Sequence, residues 1–141
     1  MEVKTQHERT LETIVKIEHL ALNVGDPTAM GAWYRDHLGM RIVSGLAEPP
    51  FTHFLADDGG TVMMEIYHNQ TADVPDYPSR DPLVFHLAFV SDDPVADKAR
   101  LLAAGASELK DEILDDGSVL LTVRDPWGIP VQLCQRATPM L

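Results

Sequence analysis

The sequence predicts an α+β fold of two tandem βαβββ modules, and three observations carry that prediction. The chain repeats itself: a constant shift of 67 lays His86 on His19, Leu87 on Leu20, Ala88 on Ala21, Asp93 on Asp26, Pro94 on Pro27, Ala96 on Ala29 and Ala99 on Ala32. These are seven identities in fourteen ungapped positions, and the same shift sets Gln132 on Glu65. Each copy reads as strand, helix and three strands. Two copies are too few for a solenoid, which needs about three stacked repeats to bury a continuous core, so the modules pair within one domain.

The elements follow in order. From Val15, residues Ile17, His19, Ala21 and Asn23 alternate with Leu20, Leu22 and Val24, a strand with one apolar face. Asp26-Pro27 supplies a helix N-cap with proline at the first helical position, and Gly39 the C-cap. Met30, Trp33, Tyr34 and Leu38 of that helix can meet the apolar strand face. Met40 to Val43 is a short strand, and residues 51–56 and 61–67 form a hairpin around Asp57-Asp58-Gly59-Gly60. In the second arm Val62, Met64 and Ile66 share one face, and Met63, Glu65 and Tyr67 the other.

Residues 69–82, with prolines at 75, 78 and 82, read as a linker. The unit then recurs: a strand over 83–90, an Asp93-Pro94 helix start, a helix carrying Val95, Ala99, Leu101 and Leu102 that stops at Gly105, and strands near 107–113, 118–123 and 129–135. Asp125-Pro126-Trp127-Gly128 makes the last turn. The organisation is a polar extension at 1–14, a single domain at 15–136 with modules at 15–68 and 83–136, and a tail at 137–141.

Composition bounds the function. A net charge of −11 with scattered basic residues argues against nucleic acid as a partner. The absence of a long apolar run or an apolar leader argues against a membrane span or signal peptide, and the lone Cys134 agrees with a reducing, cytoplasmic setting.

Four polar residues stand on the strand faces opposite the helix-packing ones: His19, Glu65, His86 and Gln132. They point into the space that the two sheets enclose. Two imidazoles, a carboxylate and an amide oxygen suit one divalent ion, with nickel, zinc, cobalt, manganese and iron all compatible, and four ligands leave two octahedral positions open. A lone inward carboxylate is costly without such a partner. His7, His37 and His68 read as solvated, His53 has a register that decides whether it lines the cavity, Asp57 and Asp58 read as turn residues, and Arg124 as a surface charge before a turn.

The segments Ile17–Val24, Trp33–Met40, Met63–Ile66, His86 and Arg124–Leu133 resemble the vicinal oxygen chelate superfamily, which includes glyoxalase I, bleomycin-resistance proteins, methylmalonyl-CoA epimerase and extradiol dioxygenases. The resemblance implies a curved, incompletely closed sheet cup, a metal on His19, Glu65, His86 and Gln132, a small-molecule substrate and a homodimer. Gln132 departs from the carboxylate that the dioxygenase pattern has there, so the ligand set is most similar to glyoxalase I and the epimerase. An amide accepts no proton near neutral pH, which leaves Glu65 as the candidate base by symmetry.

The implied activity is that of a metal-dependent lyase or isomerase that forms an enediolate by proton transfer. Met63, Tyr67, Val84 and Ala88 would give its cup an apolar wall. The alternatives are an iron(II) extradiol-type dioxygenase on His19, Glu65 and His86, and a metal-free protein that sequesters a ligand, as bleomycin-resistance proteins do.

Overall fold

The computed structural model describes residues 14–141. The extension predicted at 1–14 therefore lies, apart from Ile14, outside the described residues. The chain forms β1 (His19–Asn23), α1 (Pro27–Leu38), β2 (Arg41–Gly45), β3 (His53–Ala56) and β4 (Met63–Tyr67). A 3-10 turn at Tyr77–Ser79 precedes β5 (Leu87–Val90), α2 (Pro94–Ala103), β6 (Ser107–Ile113), β7 (Val119–Arg124) and β8 (Pro130–Gln135). This is the predicted pair of βαβββ modules.

Local chemistry explains the helix ends. Asp26 and Asp93 accept from the backbone N–H of Ala29 and Ala96, each at 3.1 Å, while Pro27 and Pro94 begin the helices where no N–H is needed. Gly39 closes α1 at φ 67° and donates back to the Tyr34 carbonyl.

Each module folds into one four-stranded mixed sheet, in the orders β1-β4-β3-β2 and β5-β8-β7-β6. The parallel pairs have the same register: Ala21 lies opposite Glu65, and Ala88 opposite Gln132. Each sheet is also bulged at one place in its outer hairpin, between Ile42 and Ser44 in the first module and between Glu108 and Lys110 in the second. A bulge bends the strand and increases its twist, so both sheets curve at corresponding points. β1 and β5 are edge strands, and the two sheets do not close on one another.

A single core joins the modules. Met30, Tyr34, Leu55 and Ile66 of the first belong to the same buried cluster as Leu101, Val123, Ile129, Val131 and Leu133 of the second. Each such side chain contributes up to about 1.5–3 kcal/mol through burial. Trp33 crosses between modules, its indole N–H donating to the Ala104 carbonyl at 2.9 Å.

Two stretches differ from the sequence reading. Val95 and Ala99 are exposed, and the inward stripe of α2 runs instead through Pro94, Lys98 and Leu101. The Lys98 stem is covered while its ammonium reaches Glu108 at 2.9 Å and Asp111 at 2.8 Å, the ordinary way a long cation packs its methylenes. The strand expected from Leu83 begins only at Leu87, because Asp81 turns the chain: its carboxylate accepts from the Leu83 N–H and its carbonyl from that of Val84.

Candidate functional site

Parallel pairing of β1 with β4 brings two of the four predicted site residues together. The His19 ring nitrogen Nε2 lies 3.4 Å from Glu65 Oε1, with side chains 35% and 20% exposed. On the other side of the ring, Nδ1 lies 2.9 Å from Glu18 Oε1. An Nδ1–H held by a carboxylate leaves the Nε2 lone pair facing Glu65. Phe54, opposite Glu65 in the β3–β4 register, sets its ring edge-on to His19 at 5.5 Å and fixes the imidazole plane.

The second module repeats this arrangement with different chemistry. His86 directs Nδ1 at the Pro82 carbonyl, 2.8 Å away, which again leaves Nε2 free. His86 and Gln132 line a cleft of about 250 Å³ together with Asp81, Thr122, Lys110 and Glu112. The Gln132 amide nitrogen is 3.4 Å from Thr122 Oγ1, and its oxygen accepts the Cys134 thiol at 3.2 Å. Burial pushes that thiol above its ordinary pKa, so Cys134 stays protonated and can donate.

The four predicted ligands thus stand as two pairs, His19 with Glu65 and His86 with Gln132. Among the described residues, no three His, Cys, Asp or Glu side chains gather where they could hold one ion. Of the predicted cup wall, Met63 and Tyr67 share the Glu65 face of β4, and Ala88 neighbours Gln132. Val84 does not join them: it sits in the turn before β5 and lines a small apolar cleft with Leu22, Tyr77 and Phe85.

Other side chains take places that the sequence did not reveal. His53 is buried against the helix side, its Nδ1 on the Phe51 carbonyl at 2.7 Å, and its ring lies over Gly31 and Gly45. His37 and His68 are half-buried, and His68 binds the Val24 carbonyl at 2.8 Å. Arg124, expected on the surface, donates to the carbonyls of Tyr77, Gly128 and Arg80 at 3.2, 3.0 and 2.8 Å, tying the linker to the β7–β8 turn. Thr122, Cys134 and Lys110 join the site through β-sheet register. Their inward direction was readable from strand alternation, whereas their nearness to Gln132 was not.

The fold and this repeated arrangement can be set beside known proteins. The family model described as the Glyoxalase/Bleomycin resistance protein/Dioxygenase superfamily matches residues 16–133. The chain belongs to that superfamily. Solved structures of similar fold include a lactoylglutathione lyase from Agrobacterium tumefaciens, 27% identical at TM-score 0.60 over 84% of this chain and 92% of that one. A glyoxalase I mutant from Zea mays is 22% identical at TM-score 0.67, covering 87% of this chain and 46% of its own. An antibiotic binding protein from a Streptomyces species is 18% identical at TM-score 0.63, covering 86% and 95%. A search of curated proteins finds no match. Among the described residues, no helix of this superfamily member is long and apolar enough to cross a membrane.

Proposed function

We propose that the chain is a metal-dependent, glyoxalase-like lyase or isomerase acting on a small oxygenated substrate, with one divalent ion held by His19, Glu65, His86 and Gln132. The observation that carries this reading is the pairing of His19 Nε2 with Glu65 Oε1 at 3.4 Å, the imidazole being steadied from behind by Glu18. The donor set fits a borderline divalent cation, because both imidazoles keep Nε2 free and a carboxylate and an amide oxygen complete it. Such an ion supplies Lewis-acid polarisation of substrate oxygens.

The chain's own residues do the rest. Glu65 moves the proton, as the one carboxylate of the set. Phe54 holds the His19 ring edge-on, and Thr122 orients the Gln132 amide. Glu18 and the Pro82 carbonyl fix the two imidazole tautomers.

Because the pairs stand apart in one chain, the reading places His19 and Glu65 of one copy against His86 and Gln132 of a second, as a homodimer. The edges formed by β1 and β5 support it, since apolar Ile17 just before β1, Leu20 on β1 and Val90 on β5 stand exposed, at 65%, 61% and 88%. An edge with unpaired backbone and exposed apolar residues invites another strand.

The test is metal analysis together with complementation. Near-stoichiometric metal, lost in both His19→Ala and His86→Ala, is expected, and mixing the two inactive variants should restore up to about a quarter to a half of the sites. Retention of metal in both variants would overturn the ligand set. Metal lost in each but no recovery on mixing would overturn the shared site alone.

One observation favours a second reading, a metal-free protein that sequesters its ligand. The Gln132 oxygen is already engaged by the Cys134 thiol. Failure to bind nickel, zinc, cobalt, manganese or iron on titration would select that reading.

A further inference from the structure

The chain has three tyrosines, and two have committed their hydroxyls. Tyr34 donates to Asp125 Oδ2 and Tyr77 to the Asn23 carbonyl, both at 2.6 Å. Tyr67 is half-buried on β4, and its hydroxyl meets no partner among the described residues. No buried side-chain polar atom there lacks a partner, so that hydroxyl is open to a molecule from outside. Asn23, opposite Tyr67 in the parallel pair, has nothing left to offer it. Its amide donates to the carbonyls of Asn69, Ala72 and Asp73, and its oxygen accepts the Asn69 N–H.

Strand geometry sets the hydroxyl beside the candidate site. Tyr67 follows Glu65 by two residues, so both side chains leave the same face of β4, with Cα atoms about 7 Å apart. The second module holds a donor at the matching place: the 67-residue shift lays Cys134 on Tyr67, and the Cys134 thiol donates to Gln132 Oε1 at 3.2 Å. The short thiol serves the amide of its own strand. The longer phenol passes Glu65 and keeps its proton for a partner that the chain does not provide.

We propose that the Tyr67 hydroxyl is a substrate contact, donating to the substrate oxygen that gains negative charge as Glu65 takes up the proton. The inference rests on the metal-dependent reading above and adds a selective element to it. Met63 on the same face and Phe54 opposite Glu65 are apolar, so the phenol is the polar tip in that part of the wall. A donor placed where charge develops favours a substrate with an oxygen at that position over one without.

The test loads the full chain with cobalt(II) and titrates it with acetohydroxamate, a small bidentate oxygen anion, followed by visible absorption. Parent and Tyr67→Phe should take up cobalt equally, and Tyr67→Phe should bind acetohydroxamate roughly tenfold more weakly. Imidazole, a neutral nitrogen ligand, should bind both alike, which separates loss of a donor from a change in the shape of the wall. Failure of the parent to take up cobalt would overturn the metal-dependent reading and this inference with it. Unequal loading, equal acetohydroxamate affinity, or both ligands weakened alike would overturn the Tyr67 contact alone, as would a loaded parent that binds no acetohydroxamate.

Discussion

The Tyr34 hydroxyl donates to Asp125 Oδ2 at 2.6 Å, joining the helix of the first module to the last turn of the second across 91 residues of sequence. Asp125 is nearly fully buried, and its other oxygen accepts the backbone N–H groups of Trp127 and Ile129, both at 2.9 Å. A carboxylate that organises its own turn and receives a hydroxyl from the opposite module ties the two repeats together. Tyr34→Phe should therefore lower stability by about 1–3 kcal/mol in urea unfolding, because it leaves a buried carboxylate oxygen without its donor. An unchanged midpoint would show that the bond contributes nothing.

The same tyrosine predicts an alkaline limit. Burial, and then the Asp125 charge, push the Tyr34 phenol well above its ordinary value of 10.0. A group whose folded pKa is raised gives its full stabilisation below the unfolded value and loses it as pH rises toward the folded one. Thermal midpoints of the parent should thus fall from about pH 10 upward. In Tyr34→Phe that fall should be shallower. Parallel pH curves would refute the assignment.

Arg124 predicts a linker effect. Arg124→Ala removes three donations to carbonyls, so hydrogen exchange and proteolysis within 75–82 should accelerate, with a stability loss of about 1.5–3 kcal/mol. Arg124→Lys should recover only part of this, since an ammonium lacks the planar fork.

Gly128 predicts a steric effect. At φ 93°, with an added Cβ falling 2.6 Å from the Pro78 backbone nitrogen, Gly128→Ala meets both a disfavoured backbone region and the rigid linker. A loss of about 2–4 kcal/mol is expected, measured by chemical unfolding. Gly117→Ala, at φ 91° with nothing within 4 Å, isolates the backbone share and should cost less.

Glu65→Gln separates binding from proton transfer in the proposed reaction. The amide keeps an oxygen donor but accepts no proton, so turnover should fall by about 10²–10⁴ with the fold intact. Undiminished turnover in a metal-loaded variant would remove Glu65 from the mechanism.

Most of the fold was legible because its signals are local. The His-Leu-Ala and Asp-Pro repeats revealed the two modules, and the register of Ala21 with Glu65 and Ala88 with Gln132 preserves their 67-residue shift in space. The outer hairpins keep it too, Arg41 pairing with Ala56 as Glu108 pairs with Val123, whereas the last strands slip by one residue, Phe54 lying opposite Glu65 but Thr122 opposite Gln132, because the turn before β8 is one residue shorter than the turn before β4. The roles of Asp125 and Arg124 were hidden, since both depend on partners supplied by α1 and the linker. The nearness of His19 to Glu65 follows from the parallel pairing of first and last strands, which alternation alone does not specify.

His53 has a consequence for how this chain can change. Its ring fills space left by the missing side chains of two glycines: a Cβ on Gly45 would come 2.9 Å from the ring, and one on Gly31 would come within 3.4 Å. The three positions are therefore not independent letters. A side chain at residue 45 becomes acceptable only once residue 53 has shrunk, and a smaller residue 53 facing two glycines leaves a void. Such a trio drifts together through sequence space, so related chains should exchange all three positions in concert, and single replacements here should prove costlier than the corresponding doubles.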